Sequence, residues 1–175
     1  SVLTKDGHQI SGANLIISGD VPQEAGLSSS AALEVALGRV FSDLNQLGLS
    51  QVEIARVGQR AENEFVGSQC GIMDQLVSAL GRPGDALFLD CKNLETRTIP
   101  LPETASVVIF NSNVDRKLVA SEYNLRRLQC ESAATILGVS ALRDARLGQL
   151  ELRRRAMDDS VFRRARHVIT ENGRT

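Results

Sequence analysis

The sequence predicts an α+β fold. Three observations lead to this prediction: short apolar runs near the start, apolar residues at helical spacing in the middle, and a return to an extended pattern after Gly81. The chain has 175 residues, of which 42% are apolar and 23% charged, as in a folded globular protein with one domain or two small lobes. We predict a boundary between lobes at 1–92 and 93–175.

Four short strands are predicted. The first two lie on either side of the turn residues Lys5-Asp6-Gly7, and the second of them contains the apolar run Leu15-Ile16-Ile17. The other two are Ala86 to Cys91 and Ser106 to Phe110, with two prolines in the connection between them.

Three helices are predicted in the first half of the chain. The first carries apolar residues at helical spacing from Leu33 to Leu47. The second follows Ser50, which with Glu53 has the spacing of a capping box, and it stops near Gly67.

The third helix is short and follows Gly71. Its predicted buried side consists of Met73, Leu76, Val77 and Leu80. From about Leu118 the pattern predicts one long helix, and a last helix runs through Val161 and Ile169.

The charge, aromatic content and apolar content of the chain exclude some classes of binding partner. The net charge of −1 divides into −6 over residues 1–125 and +5 over residues 126–175. The chain has five Phe, one Tyr and no Trp, so it is poorly supplied for base stacking, and we predict no nucleic-acid partner. No apolar run approaches the length of a membrane span and no signal peptide is visible, so we predict a cytoplasmic protein without a membrane partner.

The cysteines do not predict a disulfide framework or a zinc site. Cys70, Cys91 and Cys130 are odd in number and form no C-x-x-C pair. The only histidines are His8 and His167, so a Cys–His nucleophile has no supporting pattern. We predict buried, free thiols in a reducing compartment.

The loop Pro22–Ala32 is the sharpest local signal. Small residues that lead directly into a helix let backbone N–H groups approach an anion, and the positive end of the helix dipole favours negative charge there. The loop has neither the Gly-Lys-Ser/Thr of a Walker A loop nor the Rossmann glycine spacing. The alternative is a serine-rich helix cap that binds no ligand.

Other polar residues stand at positions suited to chemistry. Asp74, at the start of the third helix after Gly71, is either a base or charge stabiliser, or a residue that complements the helix dipole. Glu62 is either a surface charge or a metal ligand, and Tyr123 either contacts a polar ligand or packs half-buried. Asn111-Ser112-Asn113 follows a predicted strand, where such residues usually form turns.

Taken together and in order, these motifs resemble a galactokinase of the GHMP small-molecule kinase superfamily. Gly26-Leu27-Ser28-Ser29-Ser30-Ala31 is typical of the superfamily, and Cys70 to Gln75 narrows the resemblance to galactokinases. Asn111–Asn113 and Ser121–Tyr123 add to it, and the similarity covers essentially the whole chain. The resemblance implies a two-lobed GHMP kinase-like fold that is present only in part.

The resemblance also implies a reaction and its cofactors. The parent enzyme would transfer the γ-phosphoryl group of ATP to the C1 hydroxyl of galactose, giving galactose 1-phosphate and ADP. Mg²⁺ would be held by Ser30, or its neighbour Ser29, together with Glu62. Asp74 would act as catalytic base or electrostatic partner, and Gly71 and Tyr123 would contact galactose. The ATP phosphates would lie against the six loop residues Gly26, Leu27, Ser28, Ser29, Ser30 and Ala31.

Two departures from the galactokinase pattern stand out. Glu24 occupies a loop position that is usually small, and a carboxylate there would repel phosphate unless it faces solvent. The N-terminal arginine, the Glu-His-Thr-Asp sugar-binding stretch and the C-terminal glycine-rich motif of galactokinases do not occur in these 175 residues. We therefore expect an internal segment that is inactive alone.

The alternatives are a galactose- and ATP-binding sensor without catalysis, a GHMP kinase for another sugar or small alcohol, and a remnant without activity. The sequence leaves the oligomeric state open.

Overall fold

The structure is a computed structural model that describes residues 1–23, 25–111 and 117–174, with the backbone alone for 117–121. The chain divides into two compact units, Ser1–Asp115 and Arg116–Thr175. The boundary between lobes at residue 92 stays a prediction.

The first unit contains four α-helices and one hairpin among its described residues. In chain order they are α1 (Val2–Lys5), α2 (Ser29–Leu44), α3 (Gln51–Ala61), α4 (Met73–Leu80), β1 (Asp85–Asp90) and β2 (Glu95–Pro100). A π-helical turn, Glu62–Val66, extends α3.

The opening segment is helical, and the prediction of two strands there is wrong. The Ser1 hydroxyl caps α1 by accepting a hydrogen bond from Thr4 N at 3.2 Å. Val2 and Leu3 are buried, which makes a single apolar turn against α3 more favourable than an exposed strand. Ile16 and Ile17 lie in a segment that belongs to no helix or strand, and Ile16 is fully exposed.

Helix α3 begins as its sequence predicts. Ser50 Oγ accepts from Glu53 N at 3.3 Å, and Glu53 Oε2 accepts from Ser50 N at 2.8 Å, so both halves of the capping box are formed. The helix passes into its π-helical turn and stops at Gly67, whose φ of 81° is the left-handed conformation that glycine permits. The predicted helix α2 is also confirmed.

Helices α2, α3 and α4 form the core of the unit. Two glycines allow the close approach: a Cβ on Gly38 would lie 3.0 Å from Ile54 Cγ2, and a Cβ on Gly58 would lie 3.2 Å from Glu34 Cβ. Ile54 and Leu76 are almost fully buried in this contact. Glycine is therefore required by packing within these two helices, where it is otherwise unfavourable.

The buried side of α4 differs from the prediction. Leu76 is buried as predicted, but Met73 and Val77 are 56% and 44% exposed, and Gln75 is buried instead. Gln75 faces α2, where the side chain of Glu34 accepts a hydrogen bond from it. This bond offsets the cost of burying an amide, an effect that apolar spacing does not reveal.

The hairpin confirms one predicted strand. β1 matches the predicted Ala86 to Cys91 within one residue, and it pairs antiparallel with β2, from Asp85 opposite Pro100 to Asp90 opposite Glu95. β2 was not predicted because its polar residues are exposed on both faces and give no apolar alternation. The predicted strand Ser106 to Phe110 is wrong: no described strand pairs with this segment, and Phe110 is 89% exposed.

The second unit is helical over its described residues. It contains α5 (Lys117–Leu137), α6 (Leu147–Leu152) and α7 (Asp159–Asn172), and this confirms the predicted long helix and last helix. Small and apolar side chains form its core: Ala133, Ala134, Leu142, Leu150, Met157 and Ala165. Several of the arginines pair with acidic neighbours on the outer face, as in Arg163 with Asp159 at 3.0 Å.

Among the described residues, no helix is both long and apolar enough to cross a membrane.

Candidate functional site

The loop before α2 leads into a helix end suited to anions. Ser28 has a φ of 57°, a left-handed conformation that costs a non-glycine residue energy and is typical of functional loops. α2 starts at Ser29 with no side-chain cap and no acidic residue in its first turn. Within the described part of the chain, no group accepts from the amides of Ser29, Ser30 and Ala31. These donors and the helix dipole favour a bound anion.

The same helix carries Glu34 one turn after Ser30. Both residues line a cavity of about 460 Å³ whose other walls are largely apolar, including Val2, Leu3 and Phe41. Glu34 is half-buried, and its Oε2 accepts a hydrogen bond from Gln75 Nε2 at 2.9 Å. A carboxyl group in such surroundings is poorly hydrated, which disfavours its charged form.

Glu34 lies against the carboxyl of Glu62, the first residue of the π-helical turn after α3. Burial, the contact with Glu62 and the smaller effect of the Asp74 charge raise the pKa of Glu34 from its ordinary 4.5 to about 8, against the lowering effect of the Gln75 hydrogen bond. At neutral pH Glu34 is therefore largely protonated.

The position of Asp74 connects α4 to this cluster. It lies in the first turn of α4, is half-buried, and is close enough to Glu34 for its charge to raise the pKa of that carboxyl. Ser30, Glu62 and Asp74 thus come from three different elements, α2, the end of α3 and the start of α4. These elements pack against one another.

Two buried oxygens in the cluster have no hydrogen-bond partner among the described residues: Glu62 Oε2 and Gln75 Oε1. Oxygen is the ligand atom that Mg²⁺ prefers, and Mg²⁺ is commonly held by one or two carboxylates together with substrate phosphates. The described residues contain no group of three His, Cys, Asp or Glu side chains able to hold a metal without such help. These protein oxygens therefore suit a Mg²⁺ ion that is coordinated by phosphate oxygens as well.

The other predicted site residues are less closely tied to the cluster. Gly71 is exposed, and a Cβ there would meet nothing within 4 Å. Tyr123 is 46% exposed and lies on α5, in the second unit. Glu24, Ser112 and Asn113 lie outside the described residues, as does the side chain of Ser121.

Two members of the cluster, Glu34 and Gln75, are not predicted from the sequence as site residues. A signal existed for each: Glu34 lies four residues after Ser30 on the same helix face, and Gln75 directly follows Asp74. A third signal was Gly58, a glycine within a helix, which permits both side chains to approach α3. None of these signals assigns a role without the packing of the helices.

The thiols are free, as predicted, but the prediction that they are buried is wrong: Cys70 and Cys130 are half-buried and Cys91 is exposed. Cys91 is exposed, because it follows the last residue of β1 in a turn. Cys70 is half-buried, and its Sγ donates to Asn63 Oδ1 at 3.4 Å. Burial and the nearby Glu62 charge raise the pKa of the Cys70 thiol. A neutral thiol of this kind is a poor nucleophile.

The stability of the protein is expected to fall with rising pH as Glu34 ionises. Between the ordinary pKa of 4.5 in the unfolded chain and about 8 in the folded chain, the folded state binds more protons, so the free energy of unfolding decreases as pH rises. Glu34→Gln binds no proton and loses this contribution. Urea unfolding at several pH values, followed by circular dichroism, should show wild type losing stability relative to Glu34→Gln. A pH-independent difference would contradict the raised pKa.

Two comparisons with known proteins bear on this site. Residues 2–82 match the family described as GHMP kinases N terminal domain. The fold is similar to a galactokinase of Lactococcus lactis whose crystal structure was solved in complex with galactose, with a TM-score of 0.82 and 27% sequence identity. That match covers 99% of this chain and 46% of the galactokinase, so the chain spans less than half the length of this relative. The resemblance drawn from the motifs is therefore confirmed: residues 2–82 match the N-terminal domain of the GHMP kinases, and the fold is similar to part of a galactokinase.

Proposed function

We propose that the protein containing this chain is a galactokinase, which transfers the γ-phosphoryl group of ATP to the C1 hydroxyl of galactose. One observation carries the proposal: Ser30, Glu62 and Asp74 are brought to neighbouring ends of three packed helices, around the partly buried Glu34–Gln75 contact. Phosphoryl transfer depends mainly on positioning and charge neutralisation, and this arrangement offers groups for both. The fold similarity to a galactokinase solved with galactose supports the choice of substrate.

The ATP phosphates would bind at the start of α2. The amides of Ser29, Ser30 and Ala31 would donate to phosphate oxygens, and the helix dipole would stabilise their charge. Gly26, whose φ is 82°, and the left-handed Ser28 shape the loop so that the backbone reaches the phosphates. Leu27 is half-buried and Ala31 is fully buried, which anchors the loop to the helix.

Ser30 and Glu62 would hold the Mg²⁺ ion. When bound, Mg²⁺ neutralises phosphate charge and fixes the orientation of the transferred group. The buried Glu62 Oε2, without a partner among the described residues, supports this role. Because Glu34 is largely protonated at neutral pH, it adds little negative charge beside Glu62, which limits repulsion of the nearby phosphates.

Asp74 would lie beside the C1 hydroxyl of galactose. It would either accept the proton of that hydroxyl or stabilise the charge that develops as the hydroxyl attacks. Gly71, just before α4, has an open backbone that a sugar hydroxyl would reach, and Tyr123 is exposed enough to contact a ligand. These two contacts rest on the resemblance to galactokinases.

The acceptor specificity tests the proposal. The protein at its natural length is given MgATP with galactose, galactosamine, arabinose or mevalonate, and the release of ADP is followed by a coupled assay. We expect the highest kcat/KM with galactose. A higher value with mevalonate or another acceptor would contradict a galactokinase and indicate a different GHMP kinase.

A further inference from the structure

The contact between Glu34 and Gln75 is the one part of the cluster to which the proposed function gives no direct chemical role. Gln75 is 2% exposed, and its Nε2 donates to Glu34 Oε2 at 2.9 Å. The bond joins α2 to α4 across 41 residues of chain. It is therefore a tertiary contact between the helix that begins at the phosphate loop and the helix that carries Asp74.

Packing confines both side chains. A Cβ placed on Gly58 would lie 3.2 Å from Glu34 Cβ and 3.3 Å from Gln75 Cγ, so α3 presses against both residues from one side. Leu76, next along α4, is fully buried and holds the same helix turn in the core. A side chain enclosed in this way has few rotamers open to it.

Stability alone does not explain a polar pair at this position. Gln75 Oε1 is buried without a partner among the described residues, and an unpaired buried carbonyl is unfavourable. A methionine of similar volume would fill the same space without that cost. The pair is thus better explained by the geometry it imposes than by the energy it contributes.

Glu34 and Gln75 adjoin the three groups that the proposed function uses. Glu34 follows Ser30 by one helical turn, and its carboxyl lies against that of Glu62. Gln75 is the direct neighbour of Asp74 at the start of α4. A shift of the Glu34–Gln75 contact would therefore alter the position of Glu62 relative to both Ser30 and Asp74.

We propose that Gln75 and Glu34 are positioning residues: Gln75 fixes the Glu34 carboxyl, and Glu34 in turn orients Glu62 as a ligand for the metal of the metal–ATP complex. The inference rests on the proposed function for the identity of the bound metal–nucleotide complex. It adds two residues that act through Glu62 and do not themselves contact substrate. Outer partners of this kind usually change metal affinity or activity by 10–100-fold when they are removed.

Metal affinity provides a test that does not require turnover. Mn²⁺ is titrated into the protein at its natural length with ATP present, and free Mn²⁺ is measured by electron paramagnetic resonance. We expect Gln75→Met and Glu34→Met to weaken Mn²⁺ binding by about 10–100-fold. Gln51→Met is the matched control, because Gln51 Nε2 also donates to α4, at Ala79 O at 2.7 Å, but on the exposed surface. Its Mn²⁺ affinity should stay within about twofold of wild type.

A conservative variant separates positioning from folding. In Glu34→Gln the new amide keeps the length of the side chain, accepts from Gln75 through its oxygen and donates to Glu62 through its nitrogen. Glu34→Gln should therefore recover most of the Mn²⁺ affinity that Glu34→Met loses. If Gln75→Met fails to fold, as judged by circular dichroism, the Mn²⁺ affinities of Glu34→Met and Glu34→Gln test the positioning role.

The outcomes distinguish this inference from the proposed function. Mn²⁺ affinity that is unchanged in folded Gln75→Met and Glu34→Met overturns the positioning role, whatever the substrate of the enzyme. Equal losses in Glu34→Gln and Glu34→Met also overturn it, since an amide that keeps both contacts of Glu34 would then fail to restore the Mn²⁺ affinity. If wild type binds Mn²⁺ and ATP with the expected pattern of variants but does not phosphorylate galactose, the proposed function fails and the positioning role stands.

Discussion

Asp74→Asn is expected to lower the rate of galactose phosphorylation by about 10²–10⁴-fold, the range for loss of a general base. Asn has the same shape as Asp but neither accepts a proton at neutral pH nor carries a charge. Asp74 lies in the first turn of α4, and the buried Leu76 anchors that turn. The substitution should therefore leave the fold intact. The loss should appear in kcat, because the role proposed for Asp74 is at the reacting hydroxyl.

The affinity for MgATP should change little in Asp74→Asn, since the proposed phosphate contacts lie on α2. Single-turnover kinetics together with nucleotide binding by calorimetry separates the two effects. Asp43→Asn is a suitable control: Asp43 is an exposed carboxylate on α2 that pairs with Arg39 at 2.8 Å, and such surface pairs contribute little. A rate for Asp74→Asn within about threefold of wild type would contradict both roles considered for Asp74.

The second large effect is expected from Gly58→Ala, which should destabilise the first unit by about 1–3 kcal/mol. In an ordinary helix interior this change is favourable by about 0.5–1 kcal/mol, because alanine loses less backbone entropy than glycine. At Gly58, however, the added Cβ would lie 3.2 Å from Glu34 Cβ and 3.3 Å from Gln75 Cγ. Both side chains are confined by their mutual hydrogen bond, so neither can easily move away from the added Cβ to relieve the strain.

Hydrogen exchange followed by mass spectrometry measures this change locally, in peptides from α3. Gly148→Ala is the matched control: Gly148 lies in α6, and a Cβ there would meet nothing within 4 Å. Protection should fall in α3 of Gly58→Ala and rise slightly in α6 of Gly148→Ala. Increased protection in α3 of Gly58→Ala would mean that Glu34 and Gln75 are loosely held, contrary to the positioning role.

The sequence predicts those secondary-structure elements whose signals lie within a few neighbouring residues. The capping box of Ser50 and Glu53, the apolar spacing of α2 and the stop at Gly67 depend on residues within a few positions of one another, and the structure confirms them. The segments at Ile16 and Phe110 have apolar residues typical of strands, but strands also need a partner. A partner comes from elsewhere in a fold, so no local pattern predicts it.

The residues of the candidate site also divide into those that local motifs single out and those that depend on tertiary packing. Ser30, Glu62 and Asp74 were named because motifs and a family resemblance single them out, and their roles stay predictions. Glu34 and Gln75 were missed because their importance arises from the packing of α2 against α4. A glutamate and a glutamine at helical positions are ordinary surface residues until a tertiary contact buries them.

Product analysis tests the central claim most directly. The protein at its natural length is incubated with ATP, Mg²⁺ and galactose, and the phosphorus NMR spectrum is followed with time. We predict that galactose 1-phosphate and ADP appear in equal amounts as ATP disappears. If galactose and ATP both bind by calorimetry but neither is consumed, or if the phosphoryl group appears on another hydroxyl, the proposed reaction is wrong.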